Sequence, residues 1–209
     1  MGFARLFVET FISLIAILNP ISAAPIFLGL TQGQTVRERA QIARTTAIAT
    51  TVILLIAAIA GKWILFFFGI SLPSFRVAGG ILIVLIGLDM LNARPSRSRE
   101  TPEETEEAQS RKEIAVVPMA CPQLAGPGSI SFVIMFAGKE GGMMDMVFLI
   151  GIILLGGIAS YLTLLLASPL GNALGRTGMN IMTRIMGLIL VAVAVEFVIT
   201  GIKTMWMAG

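Results

Sequence analysis

Residues 19–25 read Asn-Pro-Ile-Ser-Ala-Ala-Pro, and residues 121–127 read Cys-Pro-Gln-Leu-Ala-Gly-Pro. Each half of the chain therefore contains a pair of prolines, and the spacing within the two pairs is the same. A proline inside a helix removes a backbone hydrogen bond and clashes with the preceding turn. We therefore expect each pair to break a membrane helix near its middle. Unwound backbone within a bilayer is tolerated only where protein buries it or it lines a cavity. Two breaks in matching positions therefore indicate a transport site.

The composition is that of an integral membrane protein. The 209 residues are 56% hydrophobic and 13% charged, with a mean hydropathy of +0.91. Charged residues make up about 25% of an ordinary soluble domain. A membrane-spanning helix needs about 20 apolar residues, and six stretches reach that length: 5–30, 42–68, 75–93, 114–137, 143–167 and 180–205. We predict an all-α membrane protein with six transmembrane helices and no soluble head domain.

The halves of the chain resemble each other beyond their proline pairs. Arg-Val-Ala-Gly at 76–79 is similar to Arg-Ile-Met-Gly at 184–187, and Asp89 and Glu196 follow at nearly equal distances. Three spans per half would invert the second copy relative to the first. The sequence therefore predicts two inverted-topology repeats, at residues 1–93 and 114–209. The first helix of each repeat carries the Pro-x4-Pro break.

A charged segment at residues 94–113 joins the two predicted repeats. Its Pro, Glu and Ser content favours a solvated linker. A plain tether is the simpler interpretation, and a phosphorylation or docking site is the alternative.

The distribution of positive charge predicts the orientation, because Lys and Arg accumulate in cytoplasmic loops. One side of the predicted topology carries Arg5, Lys62, Arg76, Lys139 and Lys203. The other side carries the remaining Lys and Arg residues, twice as many. We therefore predict a multi-pass membrane protein with both termini outside and the linker in the cytoplasm.

Each break should place the start of a helix inside the membrane. Proline suits the first helical turn, so we expect helices to restart at Pro25 and at Pro127. The positive end of a helix dipole can hold a carboxylate without a cationic side chain, and neutral polar side chains nearby suit a small zwitterion. The candidate substrate-binding residues are Asn19, Pro20, Ser22, Pro25, Gln123, Gly126, Pro127, Gly128 and Ser129. The alternative is a pair of kinked helices in which Asn19 only satisfies freed backbone groups.

Ionisable residues within apolar runs are further candidates. Glu196 lies past the middle of the sixth predicted span and could carry a coupled proton; a carboxylate hydrogen-bonded near the outer interface is the alternative. Asp89 lies closer to the inner end of its span. The chain has no histidine and a single cysteine, Cys121, and it shows no metal-ligand set, nucleophile–base pair or phosphate-binding loop. We therefore expect no enzymatic activity, no cofactor, no metal and no nucleic-acid partner.

Around its two breaks the chain resembles the MarC family of bacterial and archaeal inner-membrane proteins. The resemblance rests on Leu-Asn-Pro at 18–20, Pro-Ile-Phe-Leu at 25–28 and Ala-Gly-Pro-Gly-Ser-Ile at 125–130. It also covers the length, the six spans and the charged linker. It implies presumed site residues at Asn19, Pro20, Pro25, Gly126, Pro127 and Gly128. Members related to SnatA are described as transporters of small neutral amino acids such as glycine and alanine, with cation coupling implied.

The sequence therefore predicts a secondary transporter that moves a small neutral amino acid by alternating access. Protons or sodium ions are the candidate coupling ions, and membrane lipid is the expected surroundings. A channel for a small polar solute is one alternative, and a membrane scaffold or stress-response protein without transport activity is another. The direction of transport and the oligomeric state stay open.

Overall fold

The structure, a computed structural model, describes residues 3–92, 115–138 and 143–208. The predicted linker at 94–113 lies outside the described residues. The helices are α1 Phe3–Leu18, α2 Pro20–Leu30, α3 Val36–Phe67, α4 Leu72–Leu91, α5 Pro127–Ala137, α6 Met143–Leu165 and α7 Ala167–Ala208, and an irregular segment, Ala115–Leu124, precedes α5. The predicted all-helical architecture is confirmed.

Five stretches of the described chain are long and apolar enough to cross a membrane: Arg5–Leu30, Val36–Phe67, Leu72–Leu91, Met144–Leu165 and Thr177–Met207. The first of these combines α1 and α2 across the predicted break. The sixth predicted span, 114–137, is divided between the irregular segment and α5, an apolar helix of only 11 residues. A helix of that length rises about 16 Å, roughly half of the hydrocarbon core.

Two of the long helices, α3 and α4, begin at capping residues that the sequence supplies. Thr35 starts α3 with a capping box: its hydroxyl accepts the Glu38 N–H (3.3 Å), and the Glu38 carboxylate accepts the Thr35 N–H (2.8 Å). Ser71 caps α4 through the N–H of Ser74. These bonds satisfy donors that the first turn of a helix leaves without a partner.

Helices α4 and α7 pack closely along their length, and glycines make this possible. Gly80 of α4 lies against Val198 of α7, and Gly87 lies against Gly187. A methyl group at Gly87 would come within 3.0 Å of the Gly187 carbonyl oxygen. Residues of increasing number in α4 contact residues of decreasing number in α7, so the two helices are antiparallel. Small residues permit this close approach between membrane helices.

The other helices surround the two breaks. α3 packs along α6; α5 lies against α3 and α4, while α2 lies against α6 and α7.

Gly175 (φ 60°, ψ −176°) interrupts α7 in a conformation that glycine alone adopts readily, and the spanning part of α7 follows it. On the outside, large apolar side chains are exposed, including the aromatic residues Trp63, Phe66, Phe67 and Phe68 at the end of α3. Such a surface is typical of contact with lipid.

Candidate functional site

The first break is a single residue, Asn19. Its backbone is left-handed (φ 47°, ψ 58°), a conformation that asparagine tolerates better than most residues. Its side chain carbonyl accepts the Ser22 N–H (3.4 Å) and so caps α2. The helix restarts at Pro20, and proline suits this position because the first N–H of a helix has no acceptor within that helix.

The predicted restart at Pro25 is therefore wrong. Pro25 lies inside α2 and is exposed. α2 continues past Pro25, although the Ile21 carbonyl has no N–H at this proline to accept. Asn19 and Pro20 together already provide the cap and the first helical residue, and the break needs no further unwound residues.

The second break is longer and agrees with the sequence expectation. Val117 and Cys121 have extended backbones within the irregular segment. Gly126 precedes α5 in an extended conformation, and Pro127 is the first helical residue. Gly126 has no side chain with which to cap α5, and its backbone carbonyl accepts the Ile130 N–H (3.0 Å).

Ser129 satisfies carbonyl groups of the second break. Its hydroxyl lies 2.8 Å from the Leu124 oxygen and 3.0 Å from the Gly126 oxygen and donates to them. Ser129 is 2% exposed, so water does not replace it as a donor. In this conformation Ser129 and Asn19 both complete hydrogen bonds of the broken backbone, which is the role that the kinked-helix alternative gave to Asn19.

The structure brings the two breaks together. A methyl group at Gly128 would lie 3.4 Å from Ile17 Cγ2 and 2.9 Å from Ile83 Cγ1, so the start of α5 lies against the end of α1. α2 also contacts the irregular segment. Asn19 reaches α4, where its amide donates to the Met90 sulfur at 3.1 Å.

Most of the predicted site residues lie in the interior, with Pro25 the exception. Those buried are Asn19, Pro20, Gln123, Gly126, Gly128 and Ser129, and those half-buried are Ser22 and Pro127. Within the described ranges, the buried polar side chains are all uncharged. The local field therefore comes from helix ends and neutral dipoles, which can bind the two charges of a zwitterion without adding a net charge.

Glu196 does not reach the breaks. It is exposed on α7, where its carboxylate accepts a hydrogen bond from the Thr200 hydroxyl (3.3 Å). The Arg76 guanidinium lies 5.5 Å from the centre of the Phe197 ring. Glu196 directly precedes Phe197, the residue that Arg76 contacts. Asp89 directly precedes Met90, the residue that Asn19 contacts.

A groove of about 830 Å³ lies between α3 and α6, on the outward side of these helices. Its lining is mostly apolar, with Arg44, Thr51 and Tyr161 as its polar members. Such a lining is typical of lipid contact and offers none of the polar groups that the breaks provide. We therefore place the candidate site at the breaks.

Three buried residues were not singled out from the sequence: Met90, Thr50 and Ser160. Met90 bonds Asn19, while Thr50 and Ser160 are fully buried on α3 and α6. The available signal was the repeat of hydroxyl residues at Thr46 and Thr50, one turn apart on one face of α3. The Thr46 hydroxyl donates to the Ala115 carbonyl (3.0 Å) at the start of the irregular segment.

Comparison with known proteins gives a consistent set of relatives. The model of a family described as MarC family integral membrane protein matches residues 4–206. A UPF0056 membrane protein of Methanocaldococcus jannaschii is 43% identical over 197 residues, covering 94% of this chain and 96% of the relative. A UPF0056 membrane protein of Aquifex aeolicus is 37% identical (97% and 95% covered), and UPF0056 membrane protein YhcE of Escherichia coli is 37% identical (92% and 90%). No solved structure shows a significant match to the chain.

Proposed function

Because the chain belongs to the MarC family of integral membrane proteins, we propose that it is a secondary transporter of small neutral amino acids such as glycine and alanine. The transporter works by alternating access in the inner membrane, carries out no chemistry on its solute, and is coupled to a cation. The observation that carries the proposal is the meeting of two helix breaks, at Asn19 and Gly126, in the interior of a membrane protein.

The size and polarity of the site favour a small zwitterion. The Gly128 N–H belongs to the first turn of α5, where the helix dipole is positive and attracts a carboxylate. Gly126 and Gly128 allow close approach of a ligand to the backbone. Asn19 and Gln123 supply neutral polar groups in the same region. A larger solute would have to displace Ile17 and Ile83, which already touch Gly128.

The helix contacts support six spans in two inverted repeats. In the proposal, α1 with α2 corresponds to the irregular segment with α5, α3 to α6, and α4 to α7. If each helix is replaced by its counterpart in the other half, the contacting pairs α3–α6 and α4–α7 stay the same. The contacts of α5 with α3 and α4 become the contacts of α2 with α6 and α7. All of these contacts are present, as a pseudo-twofold arrangement requires.

Two repeats that rock against each other would expose the breaks to each side in turn. The seam between them contains α4 and α7, whose glycine contacts allow small sliding movements. Glu196 precedes Phe197, which lies against Gly80 at this seam, and it is the coupling candidate if the coupled ion is a proton.

Counterflow into proteoliposomes tests the proposed function. Vesicles loaded with unlabelled alanine should accumulate labelled alanine transiently, and a panel of unlabelled neutral amino acids inside should define the substrate class. Protein-free vesicles and Asn19→Ala protein serve as controls and should show none. Equilibration without transient accumulation would indicate a channel, and no flux with any member of the panel would favour the scaffold alternative.

A further inference from the structure

Three buried hydroxyl groups lack hydrogen-bond partners among the described residues: Ser22 Oγ, Thr50 Oγ1 and Ser160 Oγ. Thr50 and Ser160 are both 0% exposed. Each group belongs to a different helix, namely α2, α3 and α6.

Neighbouring hydroxyls on the same helices behave differently. Thr51 of α3 donates to the Ala47 carbonyl (2.8 Å), and Thr163 of α6 donates to the Ala159 carbonyl (2.8 Å). This bond to the preceding turn is the usual way for a hydroxyl to be satisfied inside a membrane helix. Thr50 and Ser160 make no such bond, although both are fully buried.

The packing places Ser160 between α3 and the first break. Gly156, one turn before it on α6, lies against Leu18 of α1, and Gly157 lies against Ala47 of α3. α6 runs parallel to α1, because the ring of Phe7 contacts that of Phe148 while Leu18 contacts Gly156. One further turn along α6 therefore reaches the level just past Leu18, where α1 ends and α2 begins.

Thr50 and Ser22 belong to the two helices, α3 and α2, that pack against α6. Thr50 lies on the buried face of α3, one turn after Thr46. Ser22 follows the break by three residues, and α2 packs against α6.

The chemistry of this region is that of a cation site. Hydroxyl oxygens are acceptors, and the carbonyl end of α1 is the negative end of its dipole. Pro20 has no N–H to donate to the Ala16 carbonyl, so that oxygen loses its usual helical partner. Unwound carbonyls and the ends of broken helices coordinate small cations in membrane proteins.

We propose that Ser22, Thr50 and Ser160, with the carbonyl end of α1, bind a small monovalent cation beside the first break. The cation is either sodium or the ammonium group of the transported amino acid. The ammonium form deepens the proposed function and rests on it, whereas the sodium form does not require that the solute be an amino acid. The carboxylate of the same solute would then lie toward the start of α5.

Direct binding to purified protein in detergent tests this site. The probes are radiolabelled sodium and radiolabelled methylammonium, with unlabelled ions as competitors. We expect saturable binding of at least one probe and an affinity that falls about tenfold or more in Thr50→Val and in Ser160→Ala. Thr163→Val is the matched control on α6 and should bind as the wild type does, because its hydroxyl already has a partner. Unfolding temperatures without added probe should be unchanged in Thr50→Val and Ser160→Ala, since neither removes a hydrogen bond.

Binding of sodium alone would identify an alkali-cation site, and binding of methylammonium alone would identify the site of the solute's amino group. Saturable binding that depends on Thr50 in a protein without alanine counterflow would reject the proposed function and keep this inference. Saturable binding of neither probe, or wild-type binding in both Thr50→Val and Ser160→Ala, would overturn the inference even if alanine is transported.

Discussion

At the scale of single residues, Asn19 performs several tasks at the first break. Its left-handed backbone ends α1, its side chain caps α2, and its amide contacts Met90 in α4. The dipeptide Asn-Pro was a strong signal for a break, because asparagine tolerates this backbone and proline suits a first helical turn. The contact with Met90 could not be predicted from the sequence, since it depends on how α4 packs 71 residues away.

Two substitutions at Asn19 separate its backbone role from its side-chain role. Glycine adopts the left-handed conformation freely, whereas alanine there is strained by about 1–2 kcal/mol. We therefore predict that Asn19→Ala protein unfolds more readily in detergent than Asn19→Gly protein, as measured by thermal unfolding. Equal stability of the two variants would show that the left-handed backbone at residue 19 is not maintained.

At the scale of helices, the chain uses different devices for its two breaks. The first needs one left-handed residue; the second uses two extended residues and a serine that bonds the freed carbonyls. The shared proline spacing suggested equal breaks, and this expectation failed at Pro25. A proline exposed on the surface of a helix does not have to end it, and exposure is a property of the packing rather than of the spacing. The restart at Pro127 was predictable because Gly126 before it offers no competing helical preference.

The seam between α4 and α7 should be sensitive to single methyl groups. In Gly187→Ala the added carbon would lie 2.9 Å from the Gly87 carbonyl oxygen and 2.9 Å from Met90 Cβ. Backbone cannot move aside without separating the helices, so we predict a loss of about 1–3 kcal/mol in stability. Gly151→Ala in α6 is the matched control, because its methyl group would meet no described atom within 4 Å. Thermal unfolding of both variants measures the difference; equal behaviour would contradict the close packing of this seam.

At the scale of the whole molecule, composition alone established a membrane protein, and five long apolar helices agree with it. A sixth span was predicted from hydropathy, but the structure divides these residues between an irregular segment and a short helix, and this short helix packs against α3 and α4. The proposed cation site of Thr50, Ser160 and Ser22 could not be predicted from the sequence either, since the three residues are far apart in the chain. Orientation in the membrane follows from the asymmetry of positive charge and is a proposal about the whole fold.

Labelling of single cysteines in intact cells tests this orientation. Cys121→Ser removes the natural thiol, and Lys62→Cys or Arg44→Cys then introduces one at either end of α3, about 27 Å apart along the helix. We predict that a membrane-impermeant maleimide labels Lys62→Cys from outside and labels Arg44→Cys only after the cells are opened. The reverse pattern would place both termini in the cytoplasm.

In the proposed function, the two breaks together form one binding site for a small neutral amino acid. The most direct test is equilibrium binding of labelled alanine to purified wild-type, Asn19→Gly and Ser129→Ala protein, with Gly151→Ala as the control. We predict one saturable site per chain, with the affinity lowered about tenfold or more by a change at either break and unaltered in the control. Wild-type affinity in either Asn19→Gly or Ser129→Ala would contradict a site shared by the two breaks.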